Sequence, residues 1–187
     1  MKRIVWVSLV IMMASVSVSF GAKRFENTKP KGVYLGFGVG AASSQLSQDY
    51  WGTEPDAEGA FAISMRTGFI VRPNLLIGSE SAASLFRVSN RYWQYTSSVV
   101  ALTFYPSSSI FLRGGLGFGS VQYERREFGP WNSSVQAGGL AAHAAIGFDI
   151  STSQTFSILP TLRGDYVNMD PESYYQIALS IDVGWYW

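Results

Sequence analysis

From residue 32 onward, apolar and polar residues alternate with a period of two, and turn-forming residues interrupt the pattern at intervals. In residues 32–42, Val33, Leu35, Phe37, Val39 and Ala41 alternate with Tyr34, Gly36, Gly38 and Gly40. In residues 60–72, Phe61, Ile63, Met65, Phe69 and Val71 share one face. The clearest case is the last, 175–187. There Tyr175, Ile177, Leu179, Ile181, Val183, Trp185 and Trp187 alternate with Gln176, Ala178, Ser180, Asp182, Gly184 and Tyr186. A repeat of two places alternate side chains on opposite faces of a β-strand, and no helical period competes with it. The pattern predicts eight strands, over 32–42, 60–72, 75–86, 95–105, 110–123, 139–150, 156–167 and 175–187. It is weakest in the third and fourth, where Ser79, Ser81, Ser97 and Ser98 blur the alternation.

The links between these strands alternate in length. Arg72-Pro73-Asn74, residues 106–109 and residues 151–154 are short, whereas residues 43–59, 87–94, 124–138 and 168–174 are mostly longer. Short turns at one end and longer loops at the other are typical of membrane-spanning barrels. The predicted fold is all-β: an eight-stranded antiparallel up-and-down transmembrane β-barrel over 32–187, with both termini on the short-turn, periplasmic side. Charge supports this. With the register set by the apolar residues, Arg66, Arg72, Glu80, Arg113, Asp149, Arg163, Asp165 and Asp182 all fall on the opposite face. An Arg or Lys facing lipid at mid-bilayer costs about 2–4 kcal/mol. A soluble barrel, apolar inside, would instead need many Lys and Glu on its outer face.

The N-terminus carries a different pattern. Lys2 and Arg3 precede an apolar run over 4–13 broken only by Ser8, and small residues follow up to Ala22. This is the order of a secretory signal peptide, expected over 1–22 with cleavage at 19–22. The run is too short for a spanning helix, which needs roughly 20 residues. Residues 23–31 are then a short periplasmic segment. Only 14% of residues are charged, with 14 Lys and Arg against 13 Asp and Glu. No strong field points to nucleic acid. The chain has no Cys, which excludes disulfides, a thiol nucleophile and cysteine-ligated metal. Aromatic residues cluster at two heights. Phe69, Phe104, Phe148, Phe156, Trp185 and Trp187 lie toward the short turns. Tyr50, Trp51, Tyr92, Trp93, Trp131, Tyr166, Tyr174 and Tyr175 lie toward the long loops. Such rings suit headgroup depth.

Together these features resemble the small outer-membrane β-barrel family, which includes the barrel of outer membrane protein A and its eight-stranded relatives. The resemblance rests on the leader, Leu-Thr-Phe-Tyr-Pro ending at Pro106, Phe-Leu-Arg-Gly-Gly-Leu-Gly-Phe-Gly from Phe111, and the terminal Gly-Trp-Tyr-Trp. It implies a Gram-negative outer membrane, with lipid and lipopolysaccharide as surroundings. It further implies that periplasmic chaperones and the barrel-assembly machinery act in biogenesis, the latter reading Tyr175, Ile177, Leu179, Ile181, Val183, Trp185 and Trp187. Trp187 stands where Phe is the familiar ending.

Candidate chemistry is sparse. His143 is the only histidine, in the sixth strand with inward parity. The family includes lipid A deacylases, which use a His with a Ser two residues on, and acyltransferases. Here His143-Ala144-Ala145 lacks that Ser. Gly114, Gly115, Gly117 and Gly119 lack the Lys-Ser/Thr of a phosphate loop, and are expected to make room for bulky neighbours such as Tyr34 and Tyr105. No catalytic residue, metal site or cofactor is expected. The lumen should hold a charge network of Arg66, Arg72, Glu80, Arg113, His143, Asp149, Arg163, Asp165 and Asp182, with Arg66 opposite Glu80 if the hairpin is symmetric about Pro73. Paired charges would plug so narrow a barrel. The first expectation is thus a non-enzymatic barrel with a structural or adhesive role carried by its loops, its extracellular ligand unknown. Asp49, Tyr50, Trp51, Glu54, Asp56 and Glu58 lie in loop one. Glu124, Arg125, Arg126, Glu127 and Trp131 lie in loop three. The alternatives are a lipid A-modifying enzyme and a narrow small-solute pore.

Overall fold

The computed structural model describes residues 32–46, 58–88, 91–125, 133–169 and 172–187. The expected signal peptide, the segment 23–31, and loop residues such as Tyr50, Trp51 and Trp131 lie outside them. The described chain forms β1 (Gly32–Leu46), β2 (Glu58–Arg72), β3 (Leu75–Val88), β4 (Arg91–Phe104), β5 (Ile110–Arg125), β6 (Ser133–Phe148), β7 (Ile150–Ser151), β8 (Phe156–Met169) and β9 (Glu172–Tyr186). β7 continues β6 past Asp149, so the nine segments make eight staves. Each stave pairs antiparallel with its sequence neighbours, and β1 pairs with β9, which closes the barrel. The closure is complete at the termini: Val33 and Trp187 exchange both backbone hydrogen bonds at 2.9 Å. A closed barrel has no open sheet edge within the membrane, where an unpaired backbone group is costly.

The outer face carries the apolar set. Val39, Phe61, Phe69, Leu116, Phe118, Leu140 and Ile177 are among many large hydrophobic side chains left exposed. Exposure on this scale suits lipid, not water. The inner face holds two apolar clusters. Toward the loops, Phe86, Tyr95, Val99, Val121, Val167 and Tyr174 pack together. Their rings stack, with Tyr95 and Tyr174 at 4.6 Å and Phe86 and Tyr174 at 5.8 Å. Toward the short turns, Tyr34, Ile70, Leu76, Tyr105, Phe111, Leu159 and Tyr186 form the second cluster. Charged and polar side chains occupy the lumen as well.

Several sequence expectations need correction. All strand ends at the loop side lie further out than the alternation indicated; β6 begins at Ser133 instead of residue 139. The large apolar residues of the outer face stop short of these strand ends, so the alternation fades while backbone pairing continues. The stave over 139–150 is also interrupted at Asp149. The β6–β8 ladder stops at Gly147↔Thr161 and resumes at Ile150↔Ile158. Pro160 lies in the gap and has no N–H to donate. Tyr174 is fully buried in the lumen, and Trp93 packs against the loop-side cluster; neither belongs to an outer girdle. Tyr166 and Tyr175 do pair at the loop-side surface, with ring centroids 5.0 Å apart. Finally, the glycines that accommodate Tyr34 are Gly68 and Gly78, where a Cβ would sit 2.8 and 2.7 Å from its ring and hydroxyl. Gly115 lies beside Val99 and His143, Gly119 beside Val167, and Gly114 is exposed.

Candidate functional site

The strands bring most of the lumen charges into one layer between the two apolar clusters. Glu80 of β3 is its hub and is only 2% exposed. Its two oxygens accept from Arg113 Nη1 at 3.0 Å and Arg163 Nη1 at 3.1 Å. His143 Nε2 lies 3.9 Å from the same carboxylate. Arg163 Nε also donates to Asp165 at 2.9 Å, and Gln176 Nε2 donates to Asp165 at 3.2 Å. Gln176 Oε1 in turn accepts from Tyr174 at 2.7 Å and from Ser84 at 2.5 Å. Arg113 is held from two further sides: its Nε donates to Thr103 at 3.2 Å, and its guanidinium lies 4.9 Å from the Phe111 ring centroid.

A second ion pair lies apart from this hub. Arg66 Nη2 is 3.0 Å from Asp182 Oδ2, which also accepts from Thr161, while Asp182 Oδ1 accepts from Ser180 at 2.8 Å. The Arg66 contact is close but not aligned for a hydrogen bond, and Arg66 Nε, His143 Nε2 and Asp165 Oδ1 likewise lack one. Gly38 is required here, because a Cβ at that position would collide with the Asp182 carboxylate. Asp149 accepts from Ser151 at 2.9 Å near the short turns.

Arg66 and Glu80 are directly opposed across β2 and β3, and both point inward, but they do not bond to each other. Arg66 crosses to β9, and Glu80 crosses to β5 and β8. Arg72 is not in the lumen. The register shifts between Ile70 and Arg72, and Arg72 ends exposed beside the turn. The four-against-four balance therefore changes to three arginines, Arg66, Arg113 and Arg163, against Glu80, Asp149, Asp165 and Asp182. Gln176 and Tyr174 belong to the same network. Their inward parity was the available signal, but neither is charged. A cleft among Tyr34, Arg66, Tyr105, Arg113 and Tyr186 is too small for more than a water-sized molecule.

His143 is buried, 7% exposed, and faces the Glu80 carboxylate instead of lipid. Among the described residues, no group of three or more His, Asp or Glu could hold a metal ion. The residues of the expected assembly strand share the outer face, with Tyr175, Ile177, Ile181, Trp185 and Trp187 exposed. Phe37 and Phe156 pack edge-on against Trp185 at 6.3 and 5.3 Å.

A closed antiparallel barrel that is apolar outside and charge-paired inside is an integral β-barrel of the outer-membrane type. Solved structures share this fold. The crystal structure of Ail, the attachment invasion locus protein of Yersinia pestis, is 19% identical; it covers 83% of this chain and 100% of its own, with a TM-score of 0.63. Ail in complex with the heparin analogue sucrose octasulfate gives 17%, 82%, 99% and 0.64. Neisserial surface protein A is 12% identical, with 83% and 97% of the chains covered and a TM-score of 0.58. At such identities the likeness is one of fold. No protein-family model and no curated protein matches the chain.

Proposed function

We propose that this chain is an exported precursor whose barrel, embedded in the outer membrane, is sealed and serves as a platform for surface contacts made by its long loops. The carrying observation is the lumen: a paired charge layer closed above and below by aromatic clusters leaves little room for passing solute. A selective pore would more readily show a ring of one charge sign. A lipid A deacylase works through a His at the lipid-facing surface, whereas His143 is enclosed. Recognition then falls to the loops, as loops on rigid scaffolds often carry it. Lipid and lipopolysaccharide surround the wall, and the assembly machinery acts on the aromatic terminal strand.

The loop chemistry narrows the partner. Asp49, Glu54, Asp56, Glu58, Glu124, Glu127, Asp170 and Glu172 outnumber Arg87, Arg91, Arg125 and Arg126, eight against four. A polyanion such as the heparin analogue bound by Ail is therefore a poor match, and a neutral or basic partner surface a better one. The test compares cells with and without the protein. Adherence should fall with deletion of loops one and three and should resist competition by sulfated polysaccharide. Lipopolysaccharide mass profiles should match between the two cells, and the purified barrel should not conduct in planar bilayers. Trp185→Ala with Trp187→Ala should lower the amount that reaches the outer membrane. A changed lipid A mass, stable conductance, or loop-independent adherence would overturn the proposal.

A further inference from the structure

Two tyrosines face each other on the outside of the last hairpin. Tyr166 of β8 and Tyr175 of β9 are directly opposed in the ladder, and both have outward parity. Their ring centroids are 5.0 Å apart, with the planes tilted by 44°, a separation at which aromatic rings touch. Tyr175 is 49% exposed and Tyr166 is half-buried. The Tyr166 hydroxyl also shares a hydrogen bond with Ser173 Oγ at 3.3 Å. The pair stands where the apolar belt ends. Ile177 and Leu162 lie on its turn side, Gln45 lies beside it, and Ser173 and Asn168 lie above it. Such a boundary is headgroup depth, within reach of solutes from both water and lipid.

A second tyrosine pair supplies the contrast. Tyr95 and Tyr174 stack more closely, at 4.6 Å, but inside the lumen, where they are 1% and 0% exposed. A reagent at the membrane surface meets the outer pair and not the inner one.

We propose that Tyr166 and Tyr175 are an oxidative cross-linking site, at which peroxyl radicals join the two rings as dityrosine. The phenol O–H is the bond that breaks first. One peroxyl radical takes the hydrogen atom, a proton with one electron, from Tyr175, and a second takes that of Tyr166. The two ring radicals then couple through a carbon beside each phenol carbon. Each coupled carbon gives up its hydrogen, and each oxygen regains one. Two phenols and two peroxyl radicals thus yield one dityrosine and two hydroperoxides, with one electron passed to each radical. Rings held as neighbours make the coupling intramolecular, which strongly favours it over encounter between separate molecules. The new bond fastens β8 to β9, beside the β9–β1 seam that closes the barrel.

The test uses the full barrel, one copy per lipid nanodisc. Peroxyl radicals are generated by a water-soluble azo initiator in one arm and a lipid-soluble one in the other, which separates the two sources of oxidant. Product in at least one arm should show dityrosine fluorescence and a mass lower by two hydrogens. After denaturation, cleavage at Glu172 separates Tyr166 from Tyr175 unless their rings are joined. The joined fragments should therefore appear, and no link between Tyr95 and Tyr174 should accompany them. Tyr166→Phe and Tyr175→Phe keep a ring but lack the O–H, and each should reduce the product to the level of unexposed protein. Heat-modifiable migration on gels verifies that both variants are folded. No product in either arm, a link that maps to Tyr95 and Tyr174, or a link that survives either Phe variant would each overturn the proposal.

Discussion

The two faces of the barrel wall come from the same strands, one residue apart, yet they solve opposite problems. On β5, Leu112, Leu116 and Phe118 project outward and need no partner, because lipid is as apolar as they are. Between them in sequence, Arg113 projects inward and engages Glu80, Thr103 and the Phe111 ring. A charge withdrawn from water must be met by an opposite charge and by hydrogen bonds. The outer face can therefore tolerate exchange of one apolar residue for another, while the inner face depends on particular pairs.

The largest test of this contrast is Glu80→Leu. It leaves Arg113 and Arg163 without their shared carboxylate, and the expected loss is about 3–5 kcal/mol, measured by denaturant unfolding of the reconstituted barrel. A loss under about 1 kcal/mol would mean that water or rearranged neighbours replace the hub. Next is Leu116→Arg, which puts a charge on the outer face of the same layer. Its expected cost is about 2–4 kcal/mol in lipid. A much smaller cost in thick bilayers would place Leu116 away from the membrane centre. The smallest effect concerns a polar exception on the outside. Ser81 and Ser98 face lipid and hydrogen-bond to each other at 2.9 Å. Ser81→Ala should change stability by less than about 1.5 kcal/mol, the range of one net hydrogen bond. A larger loss would show that the outer face also depends on specific pairs.

The starts and ends of strands were legible at the short turns and not at the loops. Arg72-Pro73-Asn74 marks the β2–β3 hairpin, and Ile110 and Phe156 open their strands at the positions the pattern indicated. Apolar alternation runs right up to these turns, because the membrane does. At the other end, the outer-face positions of residues 133–138 are Ser134, Gln136 and Gly138, with no large apolar residue to mark a strand, yet their backbone continues the β5–β6 ladder. Pairing there depends on the neighbouring strand, not on burial of one face.

The charge layer divides along the same line. Period two alone assigned Arg66, Glu80, Arg113, His143, Asp149, Arg163, Asp165 and Asp182 to the inner face, because a charge on the outer face would meet lipid. It could not exclude Arg72, which leaves the lumen through a local slip of register beside the turn. Nor could it choose partners. Arg66 and Glu80 are opposed on adjacent strands, but closing the barrel brings β9 within reach of Arg66 and both β5 and β8 within reach of Glu80. The face each side chain takes is readable from residue order, since it follows from strand geometry and the cost of charge in lipid. Which charges meet is set by barrel closure, because long side chains in a narrow lumen reach across it, and reach depends on how every stave is staggered against the others.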